Sequence, residues 1–159
     1  MIVIDSREKK FEHIREYFEK HGVPYEVKKL DTGDYFNTDN PSVTVDRKAN
    51  LQEVCSNLSS GKSNRVRFTD ECKRAFADHI KLVVLIEGTN YKELNDIKDW
   101  KSKHSWHTGR WLLDGMFRLS VSFGVEWRLC RKNNTAKTIL EILGYKEEET
   151  DGKRMDLHT

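Results

Sequence analysis

Short apolar runs alternate with longer amphipathic segments along this chain, and this alternation is the feature that most constrains its fold. The apolar runs at residues 2–4 and 82–87 are predicted to be buried strands, the second closing on Glu87. Residues 8–21 carry one apolar and one charged face and end at Gly22, which predicts a helix. Strands that alternate with helices indicate an α/β domain with a mixed sheet between helical layers.

Local signals predict the remaining elements. Turn-forming residues interrupt the alternating pattern of residues 25–48, so we expect a three-stranded antiparallel meander there. Residues 59–66 are expected to form a loop, and residues 89–104 a polar excursion at the surface. Further helices are predicted at 50–58, from Thr69 or Asp70 to Ile80, at 105–122 and at 135–143, with a strand at 125–130. The domain then spans residues 1–145, and the polar tail 146–159 is expected to be disordered.

Length and composition limit the class of protein. The 159 residues are enough for one domain with a proper core, and 34% of them are charged, yet the net charge is only +2. Any nucleic-acid surface must therefore be local. No apolar run is long enough to cross a membrane, and Met1 leads directly into a strand rather than a signal peptide. The three scattered cysteines, Cys55, Cys72 and Cys130, fit a reducing cytoplasm better than a zinc site.

Two stretches carry the residues best suited to chemistry, Gly-Asp-Tyr at 33–35 and Val-Thr-Val-Asp-Arg-Lys at 43–48. The second alternates as a half-buried strand does, so Asp46 and Lys48 share one face. Such a carboxylate can hold a divalent metal while the ammonium positions the attacking water at a phosphate. Asp34 can supply a second carboxylate from the preceding turn. On spacing alone, the alternative is an edge strand with a salt-bridged, solvated outer face.

These stretches resemble the XPF-type structure-specific endonucleases. Residues 2–8 look like that family's first strand and turn, and residues 83–88 look like a later buried strand. Residues 30–35 and 45–48 resemble its central motif of Gly-Asp, a spacer, Glu-Arg-Lys, three residues and Asp. The four blocks keep the family's order and spacing over most of residues 2–130. The resemblance implies a restriction-endonuclease-like three-layer fold, with a central mixed β-sheet flanked by helices.

The resemblance also implies a function and a set of site residues. It implies a Mg²⁺-dependent endonuclease, with Mn²⁺ as a substitute ion, that cuts branched DNA such as flaps, forks and junctions. Asp5, Asp34 and Asp46 would hold the metal, and Asp5 could also cap the following helix. Lys48 and Arg47 complete the catalytic set, Arg47 by pairing with a carboxylate on the opposite face. Four basic residues are expected to contact the DNA backbone, namely Arg7, Lys62, Arg65 and Arg67.

The chain departs from the motif at two positions. Asp46 stands where the family usually has Glu, and Gln52 stands where its last Asp is expected. These departures support an alternative function, a catalytically weak or inactive DNA-binding or scaffold subunit. A third possibility is an unrelated enzyme or regulatory domain with a coincidental acidic cluster. The carboxylates and Lys48 that remain favour an active enzyme.

Assembly and source complete the expectations. Family members pair through a helical face of this domain, and residues 100–123 are unusually aromatic, so a homodimer is predicted. Part of the surface formed by Trp106, Trp111, Leu112 and Met116 should then be exposed in the monomer. The alternative is that the whole stripe faces the sheet. A nuclease domain this short is expected from a bacterium or a phage.

Overall fold

The computed structural model describes residues 1–59 and 62–147, apart from the side chains of Lys62 and Asn64. Strands and helices alternate along the chain, as predicted. Two 3-10 helices, Leu94–Asp99 and Lys132–Asn134, accompany the main elements. The strands and α-helices are, in chain order, β1 (Ile2–Asp5), α1 (Glu12–Lys20), β2 (Tyr25–Lys28), β3 (Tyr35–Asn37), β4 (Val43–Lys48), α2 (Leu51–Ser59), α3 (Lys62–Ala77), β5 (Lys81–Ile86), α4 (Gly109–Phe123), β6 (Glu126–Leu129) and α5 (Thr135–Ile142).

The strands form one mixed sheet in the order β2-β1-β3-β4-β5-β6. β1 pairs in parallel with β2 and antiparallel with β3, so the predicted meander of residues 25–48 is wrong. The reason lies in burial, because Ile2, Val3 and Ile4 are fully buried and β1 needs a strand on each side. The crossover helix α1 brings β2 back beside β1, as in a β-α-β unit. β4, β5 and β6 pair in parallel at the other end.

Two apolar layers cover the two faces of the sheet and make the three-layer arrangement. On one face, Val83 and Leu85 of β5 pack in a cluster with residues of α1 and α5. On the other, Val84 and Ile86 join a cluster with residues of α2, α3 and α4. This division explains the continuous apolar run of β5, because a strand covered on both faces has no solvated side.

Helix α3 begins earlier than predicted. Its described part starts at Lys62, so the expected loop at 59–66 and the expected cap at Thr69 or Asp70 are wrong; residues 60 and 61 of that loop lie outside the described chain. The apolar contacts of the helix begin only at Phe68. The residues before it whose side chains are described, Ser63, Arg65, Val66 and Arg67, are exposed, so the sequence there reads like that of a loop.

The excursion between β5 and α4 is packed rather than loose. Ile97 is fully buried, and Lys101 and Thr108 form an antiparallel bridge. Helix α4 starts at Gly109, four residues after the predicted start, because Thr108 caps it by accepting a hydrogen bond from the Trp111 amide. A side chain at Gly109 would collide with the carbonyl oxygen of Ile97, so this close approach requires glycine.

The expected dimer surface is exposed only in part, as predicted, and its exposed part lies outside helix α4. Leu112 and Met116 are buried in the core, so they are not available to a partner. Trp106 is 71% exposed, and the opposite face of the helix exposes Phe117 and Val121. The predicted stripe is thus divided, with its helical part facing the sheet.

The end of the described chain returns to α1. Glu147 accepts a hydrogen bond from the Tyr17 hydroxyl and lies 3.6 Å from His21. The rest of the tail predicted to be disordered, residues 148–159, lies outside the described residues. No helix within the described ranges is long and apolar enough to cross a membrane.

Candidate functional site

A cleft of about 630 Å³ opens beyond the strand ends of the sheet, on the side where β1, β4 and β5 end and β3 begins. Asp5 closes β1, Asp34 directly precedes β3, and Glu87 directly follows β5. Asp46 and Lys48 lie in the C-terminal half of β4. All five line the cleft or its floor, so the sheet topology brings together residues that are far apart in sequence.

Asp34 is held by main-chain contacts on both sides. Its carbonyl oxygen accepts a hydrogen bond from the Asp5 amide, and its amide donates to the Val45 carbonyl at 2.7 Å. Its carboxylate accepts from the Arg47 amide at 2.8 Å. Gly33 makes this turn possible, because its φ is +78° and any Cβ there would collide with the Thr44 hydroxyl. The Gly-Asp pair therefore fixes a carboxylate between β1 and β4.

Asp46 and Lys48 share a face, as the strand period predicted. Lys48 Nζ lies 3.2 Å from Asp46 Oδ1, and both side chains are buried. The ammonium also lies 4.8 Å from the centre of the Phe68 ring, so α3 contributes a cation–π contact. The pair is thus fixed in place from two elements.

Glu71 of α3 joins this pair, and the sequence interpretation missed it. Its Oε1 accepts a hydrogen bond from the Gly33 amide at 3.1 Å. Burial, together with the charge of Asp46 and a hydrogen bond to it, raises the pKa of Glu71 to about 8. Arg67, Glu71 and Arg74 line the cleft at helical spacing. That spacing would have identified Glu71 if α3 had been predicted to start earlier.

Asp34 also resists ionisation. Burial raises the pKa of Asp34 well above its usual value, and the neighbouring charges of Asp46 and Glu8 raise it further. Asp34, Asp46 and Glu71 are hereafter called the acid cluster. Like charges in a half-buried site repel, so the acid cluster favours either a shared proton or a cation.

Lys48 stays charged in these surroundings. Burial alone would lower the pKa of its ammonium, but the carboxylates of Asp46, Glu53, Glu71 and Asp34 raise it above the usual value. Lys48 is therefore a cation at neutral pH. It can donate hydrogen bonds and stabilise negative charge, but it cannot accept a proton.

Arg47 points away from the acid cluster into a buried ion network. Its Nε donates to Glu8 at 2.9 Å, and its NH1 donates to Glu87. Glu87 also accepts from the Thr135 hydroxyl at 2.6 Å and contacts His13 Nε2 at 2.9 Å. The expected pairing of Arg47 with a carboxylate is thus confirmed. The main-chain amide of Arg47 also donates a hydrogen bond to the Asp34 carboxylate, so Arg47 supports the acid cluster as well.

Asp5 lies near the acid cluster, but its carboxylate already has partners. One oxygen accepts from Arg7 Nε at 3.0 Å, and the other accepts from the Leu30 amide at 2.8 Å. The helix-cap prediction is wrong, because α1 begins only at Glu12. A metal role for Asp5 stays a prediction and requires Arg7 to turn away.

The predicted DNA contacts divide into three groups. Arg67 and Arg7 line the cleft, and Arg7 is 63% exposed despite its pairing with Asp5. Arg65 is exposed on α3 but does not line the cleft. The side chain of Lys62 lies outside the described residues. The sequence interpretation missed four further basic residues of the cleft wall, Lys9, Lys10, Arg74 and Lys132.

The departure at Gln52 has a structural explanation. Gln52 turns from the cleft, and its Oε1 accepts a hydrogen bond from the Ser102 hydroxyl at 2.9 Å. Glu53 lines the cleft instead, and its Oε1 accepts from the Ala49 amide at 3.1 Å. The two adjacent residues of α2 point in different directions because a helix turns about 100° per residue. Glu53, one residue after the motif position held by Gln52, therefore supplies the carboxylate at this end of the cleft.

The donor set of the cleft suits a divalent metal ion in its chemistry but not in its present arrangement. No group of three or more His, Cys, Asp or Glu side chains in the described parts of the chain is already arranged around a common point. Instead, Glu71 is hydrogen-bonded to Asp46, while the Asp34 carboxylate accepts from the Arg47 amide. Its oxygen-only chemistry and the raised pKa values of Asp34 and Glu71 nevertheless fit a hard divalent cation such as Mg²⁺ or Mn²⁺.

Comparison with known proteins identifies the family. The ERCC4 domain model matches residues 4–142. Two solved structures, XPF from Aeropyrum pernix in complex with DNA and XPF from Aeropyrum pernix, each align with a TM-score of 0.66 and 21% identity over 90% of this chain. The alignments cover 62% and 59% of those chains, so this chain spans about three fifths of their length. No curated protein matches in sequence. The predicted XPF-type fold is confirmed, and the chain belongs to the ERCC4 domain family.

Proposed function

We propose that this protein is a metal-dependent DNA endonuclease that hydrolyses phosphodiester bonds in branched DNA such as flaps or junctions. The observation that carries the proposal is the acid cluster, which lies beside the buried ammonium of Lys48 in an open cleft. Membership of the ERCC4 domain family supports nuclease chemistry. A structural neighbour solved in complex with DNA supports the choice of substrate class.

The acid cluster is the proposed binding site for Mg²⁺, with Mn²⁺ as a substitute. Asp34 and Asp46 are the expected ligands, and Glu71 can add a third carboxylate from α3. A bound divalent ion supplies Lewis-acid chemistry and lowers the pKa of a coordinated water. Asp5 remains a proposed ligand only after its carboxylate exchanges Arg7 for the ion.

Lys48 is proposed to orient the attacking water and to stabilise charge on the phosphate. Because its pKa is raised, it acts as a donor throughout the reaction. The water oxygen forms a new bond to phosphorus in line with the bond to the 3′ oxygen, which breaks. The attacking water gives up a proton to solvent, and the 3′ oxygen takes up a proton from solvent and leaves as a hydroxyl. Arg47 acts by positioning rather than by touching substrate, because its guanidinium is bound to Glu8 and Glu87.

The cleft wall supplies the proposed DNA contacts. Arg7, Arg67 and Arg74 surround the acid cluster, and Lys9 and Lys10 extend the basic edge. Phosphate contacts of this kind bind without reading sequence, which suits recognition of a DNA shape. Arg65 and Lys62, on the same helix, remain proposed contacts for the flanking backbone.

A scaffold subunit without activity is the second candidate. The observations that favour it are the pairing of Asp5 with Arg7 and the absence of a carboxylate at Gln52. Cleavage of labelled flap, fork, junction and linear DNAs in Mg²⁺, Mn²⁺ or EDTA separates the two functions. We expect metal-dependent cleavage of branched substrates and none in EDTA. Binding without cleavage under every metal condition would establish the scaffold function instead.

A homodimer is also proposed, with a changed interface. Phe117 and Val121 lie one turn apart on the outer face of α4 and are 68% and 71% exposed. Phe76 of α3 is also exposed and meets Phe123 edge to face. Adjacent exposed apolar side chains are typical of a contact surface, and a two-fold pair is the commonest closed assembly.

A further inference from the structure

A second cleft, of about 560 Å³, lies beside the first. The first turn of α2 separates them, because Ala49 and Glu53 line the first cleft and Asn50 and Gln52 line the second. Residues of the excursion between β5 and α4 form its other wall. A DNA strand that leaves the acid cluster across this turn would enter the second cleft.

The charge of the second cleft differs from that of the first. Lys101 and Lys103 line it, together with His104. No Asp or Glu occurs among the described residues that line it, whereas the first cleft carries both signs. A lining whose described charged residues are both lysines is suited to an anion and unsuited to a metal ion.

The walls of the second cleft are fixed by hydrogen bonds. Ser102 is buried and donates to Gln52, which fastens the excursion to α2. The Gly109 amide donates to the Trp100 carbonyl at 2.6 Å and closes the same hairpin. At Gly88, where φ is +73°, a Cβ would lie 3.0 Å from the Ala49 carbonyl oxygen, so glycine permits the close approach. The cleft is therefore part of the folded structure.

Two aromatic side chains complete the lining. Tyr91 and Trp100 line the cleft and also pack against the core cluster between the sheet and α4. Each ring is thus held against the core and borders the cleft with its remaining surface. Fixed aromatic faces beside lysines are the combination that binds single-stranded nucleic acid, through base stacking and phosphate contacts.

We propose that the second cleft binds a single-stranded arm of the DNA substrate, with Lys101 and Lys103 at its phosphates and Tyr91 and Trp100 against its bases. This proposal rests on the proposed nuclease function and names the part of the branched substrate that this protein holds. It also explains Gln52. An Asp there would place negative charge in the wall of this cleft, whereas the amide fastens Ser102 without adding charge.

The test measures binding in EDTA, so that cleavage plays no part. The probes are a labelled oligo-dT strand of about 12 nucleotides and a blunt duplex of equal length. Lys101→Ala/Lys103→Ala should weaken strand binding about tenfold and lower the salt slope by about 1.4, at 0.7 per lost phosphate contact. The matched control is Lys92→Ala/Lys98→Ala, which removes two exposed lysines of the same excursion that do not line the cleft.

A second variant changes charge and keeps shape. Gln52→Glu retains the oxygen that accepts from Ser102, so the hairpin should stay in place while strand binding weakens. Equal losses in the two lysine pairs, or no binding of the oligo-dT strand by the wild type, would overturn the proposal. Intact strand binding without cleavage in any metal would instead overturn the nuclease function and leave the cleft assignment standing.

Discussion

Asp46 contacts both a cation and an acid, Lys48 on the same strand face and Glu71 on α3. The period of β4 predicted the first contact, because residues two apart share a face. Nothing local predicted the second, because Glu71 reaches Asp46 only after α3 has packed on the sheet. Asp34 was likewise predictable from the Gly-Asp turn, while the pairing of Asp5 with Arg7 and Leu30 depends on the placement of β2. Sequence therefore predicts carboxylates on neighbouring strands better than their partners.

The acid cluster makes metal-free stability fall as pH rises. The pKa of Glu71 is raised from 4.5 to about 8, so the folded state holds this proton more tightly than the unfolded state. The protonated Glu71 therefore stabilises the fold fully below about pH 4.5, and this contribution is lost as pH rises toward 8. In EDTA, the wild-type melting temperature should fall over this range. Glu71→Gln, neutral at every pH and still able to accept from Gly33, should flatten the curve. An unchanged slope in thermal melts of the variant would contradict the shift.

Removing Arg47 should cost more than removing any exposed arginine. Arg47→Ala leaves the buried carboxylates of Glu8 and Glu87 without their partner, and breaking such a pair typically costs about 3–5 kcal/mol. Arg65→Ala, at an exposed position, should change stability by less than about 0.5 kcal/mol. Urea denaturation of both variants measures the difference. Equal unfolding midpoints would show that the network does not support the fold.

At the scale of elements, α3 shows where sequence patterns lose information. Its first turn carries Lys, Ser, Asn and Arg, so no apolar period marks it. Strand β2 shows a second limit, because a short edge strand carries no signal for the direction of its partner. Buried elements such as β5 were predictable, because both faces require apolar residues. The cleft is built from elements of both kinds, so only part of it could be predicted.

The two arginines of α3 that line the cleft, Arg67 and Arg74, should contribute to DNA binding whatever the shape of the DNA. Arg67→Ala/Arg74→Ala removes two cations from the cleft wall and should weaken binding to flap, junction and linear duplex by similar factors. Arg65→Ala, on the same helix but outside the cleft lining, should have a smaller effect. Fluorescence anisotropy at several salt concentrations measures both. A loss confined to one branched substrate would mean that these arginines recognise structure.

At the scale of the whole molecule, the mixed six-stranded sheet places the cleft at the ends of β1, β4 and β5. The exposed face of α4 lies outside that cleft. The fold class was predictable because strand and helix patterns alternate, whereas the sheet order was not. The sheet order depends on which strands have a neighbouring strand on each side. That is settled by burial in the folded chain, not by local sequence. The same applies to α4, whose apolar residues divide between core and surface.

The surface of α4 leads to a prediction about assembly. Sedimentation at micromolar concentration should find a dimer, and Phe117→Glu/Val121→Glu should give a folded monomer, because both residues are exposed. Val27→Glu, at another exposed apolar position on the edge strand β2, is the control and should remain dimeric. A monomeric wild type would remove the dimer proposal.

The central claim is that the acid cluster performs metal-dependent DNA hydrolysis, and single-turnover cleavage of a labelled flap DNA tests it most directly. The wild type should cleave in Mg²⁺ and not in EDTA. Asp46→Asn should lose at least about a hundredfold in rate, the scale expected when an essential electrostatic group is removed, while a cooperative thermal melt in EDTA shows that the variant is still folded. Asp78→Asn, at an exposed position outside the cleft lining, should cleave normally. Cleavage by Asp46→Asn at the wild-type rate, or cleavage in EDTA, would contradict the account.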